Sequence, residues 1–410
     1  MKGEFTLNEE EKRSVDVLGQ LQMEHYQNAF ERKMEGKPVG WLTSIFPQEI
    51  VEALDLDYVY PENHCCAVSA RKESPKFIDI AEGKGYSVDL CAYARLNLGY
   101  AEEGYAESLT IPMPDFICCC NNICNEVIKW YENLSKDLGI PMIMIDIPFN
   151  DQYYPDQARV DYIKGQLEYA ITQLEEIAGK KMDYDKLHEI MRISNENSKV
   201  WSEAMSYLKS RPSPMNGFNM FNYMAMIVCA RGKESTKEVF ELLAKENKQL
   251  AEEGKTLFKG EEEFRVMWDG IAVWPFLGLT AKTLVRNGIN MNASTYPDAF
   301  AVQYDELTLE GMARGYAGTA NTRCIDFHID ARAELMNRMG CDGALYHMNR
   351  SCKVWDMMQY TIAKRTSEKT GKPYAIFDGD QADPRGFSEA QFSTRIDGLK
   401  EVMAENKKEG

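Results

Sequence analysis

A chain of 410 residues, 44% hydrophobic and 27% charged, is long enough for two or three globular units with real cores and has the composition of an ordinary globular protein. Its net charge of −17 counts against nonspecific nucleic-acid binding and against attachment to an anionic membrane, because both need a basic surface. No apolar run approaches a membrane span and the opening residues "MKGEFTLNEEEKRSVDVLG" lack an apolar signal core, so a cytoplasmic protein with free thiols at its eleven cysteines is expected.

In chain order, Asn8 to Glu35 reads as a charged amphipathic helix closed by Gly36 and Pro38. Trp41 to Phe46 is strand-like, Pro47 to Leu54 opens a helix with proline in its first turn, and Tyr58 to Tyr60 is a strand ending at Pro61 and Glu62. Ser44 and Glu62 therefore fall near element ends, where polar side chains reach a cleft. In "GYSVDLCAYARLNLGY", Cys91 follows an apolar strand at its handover to a helix. Asp115 to Phe149 runs strand, polar turn with Cys124, helix, Gly139, Pro141, and an apolar strand ending at Asp146. Tyr153 to Ser210 holds two long helices, with Tyr162, Leu167, Ile171 and Leu174 at helical spacing. "PSPMNGF" at Pro212 to Phe218 is a turn-rich joint, Phe221 to Ala230 a further helix, and a second lobe starts near Phe264. In that lobe, Ala344 to Met348 forms a strand, Cys352 sits in the turn, a helix stops at Gly371 and Pro373, and Tyr374 to Asp378 forms another strand.

The two cysteine-bearing units form a weak internal repeat. Asp115 precedes Cys124 by 9 residues and Asp342 precedes Cys352 by 10; the next Gly lies 15 and 19 residues on, and the Pro 17 and 21. The expected architecture is α/β: two similar lobes with parallel sheets flanked by helices, plus N-terminal and middle helical segments. The expected units are residues 1–152, a helical connection 153–235, and a second lobe 236–410. Each repeat puts a cysteine where a strand hands over to a helix, beside N–H groups that favour an anion.

No P-loop, GxGxxG, HExxH or GxSxG motif is present, and no CxxC. Cys91, Cys124 and Cys352 are 33 and 228 residues apart, a spacing that leaves open whether they act together. Cys118, Cys119 and Cys120 lie within a strand whose side chains alternate faces, and are read as packing, as are Cys65, Cys66, Cys229, Cys324 and Cys341. The five histidines show no ligand spacing, and His347 is read as a hydrogen-bonded core residue. "DGDQADPR", Asp378 to Arg385, is read as a helix cap with ion pairs in preference to a metal or phosphate loop.

The strings "GWLTSIFPQEI", "YPENH", "DLCAYAR", "CCNNICNEVIKWYE", "SPSPMNGF", "YHMNRSCK" and "FDGDQADPRGFSEAQFSTRIDGL" together resemble the 2-hydroxyacyl-CoA dehydratase family, specifically its cluster-bearing catalytic α-type subunit. The resemblance spans about Val39 to Met403 in collinear order and is nearest to members acting on lactoyl-, 2-hydroxyisocaproyl- and phenyllactyl-CoA in amino-acid-fermenting anaerobes. It implies that Cys91, Cys124 and Cys352 ligate a [4Fe–4S] cluster with one non-cysteine position, and that Ser44 and Glu62 stand beside the substrate. It further implies a homologous second subunit forming a heterodimer, and a separate ATP-hydrolysing iron–sulfur activator that injects one electron. The implied reaction is reversible syn-type loss of water from an (R)-2-hydroxyacyl-CoA to an (E)-2-enoyl-CoA. Its difficulty is the unactivated β-proton; one electron on the thioester carbonyl gives a ketyl radical that expels the hydroxyl and acidifies the β C–H, and cluster potentials reach roughly −700 mV. Arg71, Lys72, Arg350 and Lys353 are the candidates for holding the CoA phosphates. Two other readings stand beside this one: an electron-relay subunit of the same heterodimer, in which Ser44 and Glu62 have no task, and a two-lobed solute-binding module, which would have no use for sheet-edge cysteines.

Overall fold

A computed structural model describes residues 12–409. It contains two four-stranded, all-parallel sheets flanked by helices. The first comprises β1 (Val39–Leu42), β2 (Asp57–Val59), β3 (Phe116–Cys120) and β4 (Met142–Ile145), ordered β2-β1-β3-β4. The second comprises β5 (Phe264–Asp269), β6 (Ile289–Ser294), β7 (Gly343–Asn349) and β8 (Tyr374–Gly379), ordered β6-β5-β7-β8. Both sheets thus share one winding: the first strand is central, the second lies outside it, and the chain then crosses back to place the third and fourth strands on the other side.

That shared winding is the structural content of the internal repeat. Cys124 follows β3 and Cys352 follows β7, the third strand of each sheet. The reversal of strand order falls between β1 and β3 in one sheet and between β5 and β7 in the other, and crevices at the carboxyl ends of such strands are where α/β folds bind ligands. β1, β3 and β5 are buried along their whole length, as expected of parallel strands covered on both faces, which accounts for the unbroken apolar "FICCC" of β3. Gly40 permits close β1–β3 packing, since a Cβ there would meet the Phe116 ring at 2.4 Å.

The helices form for local reasons visible in the chain. Gln157–Ala178 is N-capped by Asp156, whose Oδ1 accepts from Arg159 N at 2.8 Å, and is closed by left-handed Gly179. Its buried stripe is Val160, Ile163, Leu167, Ala170, Ile171 and Leu174. Tyr162, expected on that stripe, instead projects outward and donates to Asp146 at 2.8 Å, because it lies next to the stripe's Ile163 and its hydroxyl finds a carboxylate in solvent. Tyr184–Ser206 and Glu234–Glu252 pack against each other, and the latter also packs on the N-terminal helix Ser14–Met34. The earlier part of the expected N-terminal helix, residues 8–11, lies outside the described residues.

Two local expectations are corrected. The strand expected over Trp41 to Phe46 ends at Leu42, because Thr43 makes the last bond to β3, from its N–H to Cys118 O at 3.0 Å, and then turns away: its Oγ1, not its carbonyl, accepts from Cys120 N at 3.0 Å, and a turn closes from Phe46 N to Thr43 O at 2.9 Å. No strand precedes Cys91. The segment from Lys84 is a turn region between helices Ser74–Gly83 and Ala92–Glu103, with Gly85 at φ 101° and Val88 59% exposed, so nothing pairs with it. The Asp378 to Arg385 run does form caps and ion pairs: Asp380 accepts from Ala382 N and Asp383 N, and Asp383 pairs with Arg95 and Arg385.

The joint "PSPMNGF" is a close backbone crossing. A Cβ on Gly217 would lie 1.3 Å from Met291 O, and Gly217 N donates to Asn290 at 3.1 Å. A fully buried ion pair, Glu49 with Arg231 at 2.9 Å, ties helix Gln48–Ala53 to the loop after Asn219–Cys229; Ser194 and Tyr316 complete its hydrogen bonds. Among the described residues no helix is long and apolar enough to cross a membrane.

Candidate active site

The turn after β1 presents Ser44, and the helix Pro61–Ala70, started by proline after β2, presents Glu62 in its first turn. Both are buried. Ser44 N donates to Glu62 Oε2 at 3.1 Å and Ser44 Oγ donates to Glu62 Oε1 at 3.1 Å, so one residue engages both carboxyl oxygens. The Tyr131 hydroxyl approaches Glu62 Oε2 at 3.3 Å and Leu42 O at 3.2 Å. Burial pushes the Glu62 carboxyl up to about 7, and the donors from Ser44 and Tyr131, which favour the charged form, only partly offset it.

Cys91, Cys124 and Cys352 line the same cavity as Ser44 and Glu62. Each stands at the N-terminus of a different helix. Cys91 caps Ala92–Glu103, Cys352 caps Lys353–Thr370, and Cys124 lies just ahead of Glu126–Leu138, with its sulfur toward the N–H groups of Glu126 and Val127. The Cys91 turn is bonded to both of the others: Cys91 N donates to Glu126 at 2.7 Å, and Ala92 N donates to Ser351 Oγ at 3.0 Å. Gln381 Nε2 donates to Cys91 Sγ at 3.2 Å, while Gln381 N is held by Asn349 at 3.2 Å. A cavity built from loops distant in sequence is thereby made one unit.

Burial raises all three thiols: Cys91 well above the ordinary range, Cys124 and Cys352 to about 12. For Cys91, Glu126 and the other two thiols add to the rise; for Cys124, Cys352 does. Helix N–H groups work against it at each sulfur. Three thiols that resist ionisation alone, yet each aimed along helix N–H donors, suit thiolates that form as a positively charged centre binds and displaces their protons. Among the described residues, no three or more His, Cys, Asp or Glu side chains are placed to hold one metal ion. A cluster makes a different demand, because each cysteine takes a separate iron.

The remaining cysteines are placed elsewhere. Cys65, Cys66, Cys118, Cys119, Cys120, Cys229 and Cys341 are buried, and Cys324, partly exposed at the start of Ile325–Arg338, does not line this cavity. His347 is a core residue, its Nδ1 2.7 Å from Ile271 O and its ring stacked on Phe377. Of the four basic residues put forward for CoA, Arg71 bonds a backbone carbonyl, Arg350 pairs with Asp378, Lys353 donates to Arg350 O, and none, Lys72 included, lines the cavity. Sequence reading missed Tyr131, Glu126 and Gln381. All three stand inside recognisable strings, "NEVIKWYE" and "DGDQADPR", yet only contact distinguishes them from their neighbours.

The family model described as 2-hydroxyglutaryl-CoA dehydratase, D-component, matches residues 43–403. The chain is 53% identical to the (R)-2-hydroxyisocaproyl-CoA dehydratase alpha subunit of Clostridioides difficile, over 97% of this chain and 98% of the relative. It is 45% identical to the (R)-phenyllactyl-CoA dehydratase alpha subunit of Clostridium sporogenes, over 97% of each. It is 37% identical to the lactoyl-CoA dehydratase subunit alpha of Anaerotignum propionicum, over 96% of this chain and 97% of the relative. A match across nearly the whole chain, with the cavity residues inside it, means that this chain belongs to the 2-hydroxyacyl-CoA dehydratase family.

Proposed function

We propose that the chain is the catalytic α-type subunit of an iron–sulfur (R)-2-hydroxyacyl-CoA dehydratase, a hydro-lyase giving (E)-2-enoyl-CoA by reversible loss of water through a ketyl radical, started by one electron that is returned at the end of each turnover so that the net reaction is redox neutral. The observation that carries this is one cavity holding three cysteines at three helix N-termini together with a hydrogen-bonded Ser–Glu pair. Cys91, Cys124 and Cys352 would hold a [4Fe–4S] cluster with one position free of cysteine; when bound, it supplies a strongly reducing electron and an open iron of Lewis-acid character.

The chain's own residues do the rest. Glu62, whose acid form burial keeps populated at neutral pH, donates to the leaving hydroxyl, and Ser44 fixes its orientation by engaging both oxygens. The carboxylate so formed takes up the β-proton, which returns Glu62 to its starting state and lets hydroxyl and proton depart from one side. Ile45, Trp130, Phe300 and Trp355 wall the cavity and exclude water. Partners follow from this reading: a second subunit, since the relatives are named alpha subunits, and an ATP-hydrolysing activator to start the radical. The Ser44–Glu62 pair favours the catalytic over the electron-relay subunit.

The test is anaerobic purification with iron determination, then assay of the assembled heterodimer with activator, ATP and a panel of 2-hydroxyacyl-CoAs. About four irons per chain and enoyl-CoA formation are expected, as cysteine-ligated cubes carry four irons. A colourless, iron-free chain, or an iron-loaded complex inert toward the whole panel, overturns the assignment.

A further inference from the structure

The reaction cavity shares Ala299, Thr319 and Trp355 with a larger neighbour of ≈ 580 Å³. The two are chemically opposite. Among the described residues no lysine, arginine or histidine lines the reaction cavity and Glu62 is its only carboxyl; Ile45, Val127, Trp130, Ile271, Phe300 and Trp355 form apolar wall, and the polar groups Asn122, Asn321 and Gln381 are uncharged. Four arginines line the neighbour: Arg314, Arg323, Arg332 and Arg338.

These arginines are incompletely used by the fold. Arg332 Nε pairs with buried Asp269 at 2.6 Å, but its Nη2 is buried without a hydrogen-bond partner among the described residues. Arg323 donates only to the backbone carbonyls of Gly318 and Tyr153, packs over Phe327 at 4.3 Å, and meets no carboxylate among the described residues. Its approach depends on Gly318, where a Cβ would lie 2.7 Å from Arg323 Nη2. Arg338 makes no hydrogen bond or ion pair among the described residues, its charge acting on the Asp298 carboxyl without direct contact, whereas Arg314 is held by Gln157 at 3.0 Å and Glu310 at 3.1 Å. Two carboxylates, Asp298 and Asp305, also line the cavity, leaving an excess of positive charge. Unsatisfied guanidinium donors over an open volume are what phosphate oxygens pair with.

We propose that the adjoining cavities divide one substrate: the arginine-lined cavity takes the phosphates of its carrier, and the reaction cavity takes an uncharged, apolar acyl group and rejects one ending in a carboxylate. This rests on the acyl-CoA reading above and deepens it. A carboxylate at the far end of the acyl chain would be buried beside Glu62 with no basic side chain among the lining residues to pair with it, while the phosphates occupy the arginines next door. Trp355, over which Arg332 lies at 5.2 Å, is one of the three residues that line both.

Calorimetry on the full-length chain tests both halves without turnover. Free CoA is the first probe and unphosphorylated pantetheine the second. Arg338→Gln, at an exposed position, and Arg323→Gln are each expected to weaken CoA binding by about 10-fold, as for lost charge-assisted bonds, and to leave pantetheine binding unchanged. Unchanged CoA affinity, or an equal loss for pantetheine, overturns the phosphate assignment; a melting temperature kept by Arg338→Gln guards against a folding artefact. A neutral 2-hydroxyacyl-CoA is expected to bind about 100-fold more tightly than a dicarboxylic one of equal length, a gap of the size an unpaired buried charge produces. Equal affinity overturns the acyl half. If both binding results hold and the assembled enzyme turns over neither compound, the dehydratase reading fails while the placement of the ligand stands.

Discussion

Ser44 and Glu62, 18 residues apart, meet through two hydrogen bonds of 3.1 Å, one from the backbone N–H and one from the hydroxyl, inside the cavity that also holds the three cysteines. Both donors favour the carboxylate, yet burial wins and the group titrates near neutrality. A carboxyl poised there serves equally as acid and base.

Glu62→Gln is expected to lower kcat by about 10²- to 10⁴-fold, the range for loss of a positioned acid–base group. In the wild type the acid form is needed first, so the rate should be level below about pH 7 and fall as pH rises through it. Stability follows the same proton. The folded state holds it between about 4.5 and about 7 while the unfolded chain does not, so stability declines as pH rises across that window and is level above it, by on the order of 3 kcal/mol in total. Denaturant titrations of wild type and Glu62→Gln across that range check the sign; parallel curves would disprove the shift.

Ser44→Ala removes a donor that stabilises charged Glu62, so the carboxyl should titrate still higher. The falling limb of the pH–rate profile is expected to move to higher pH, with kcat reduced by about 10-fold from lost orientation. A profile with an unmoved limb would separate Ser44 from Glu62 functionally.

Cys91→Ala, Cys124→Ala and Cys352→Ala are each expected to lose cluster iron and activity together. Cys324→Ser is the matched control: it too is partly exposed at a helix N-terminus, but lies outside the cavity. Iron analysis and visible absorption of the anaerobically purified variants decide it, and full iron content in Cys352→Ala would remove that residue from the ligand set.

Arg231→Met leaves Glu49 buried and uncompensated, and should cost about 3–5 kcal/mol. Arg231 also donates to Phe300 O at 2.9 Å, and Phe300 lines the reaction cavity, so KM should rise as well. Adding Glu49→Leu should recover part of the stability. A single variant as stable as wild type in urea would show that the pair contributes little.

Much of the fold was legible locally. The apolar runs of β3 and β7, the glycine stops at Gly139 and Gly371 and the spacing around Cys124 and Cys352 all report themselves over a few residues, because propensity, capping and periodicity are short-range effects. The failures are local as well. Val88 and Tyr162 look like buried apolar positions, and both are exposed because neither finds a partner surface. The strings carrying the family resemblance brought forward Ser44, Glu62 and the three cysteines without any geometry.

By itself, then, the amino-acid order determined two strand–turn–helix units, each with a cysteine at the turn, and brought Ser44 and Glu62 forward as candidates. Only the tertiary structure decided that Cys91, directly preceded by a turn region and not a strand, is tied to the other two turns through Glu126 and Ser351, that Tyr131 reaches Glu62 and Gln381 reaches Cys91, and that the four arginines line the neighbouring cavity and not the one holding Ser44 and Glu62. The reason is physical. Which helix N-termini converge, and which charges are left unpaired, depend on packing between segments hundreds of residues apart, and no local preference encodes them.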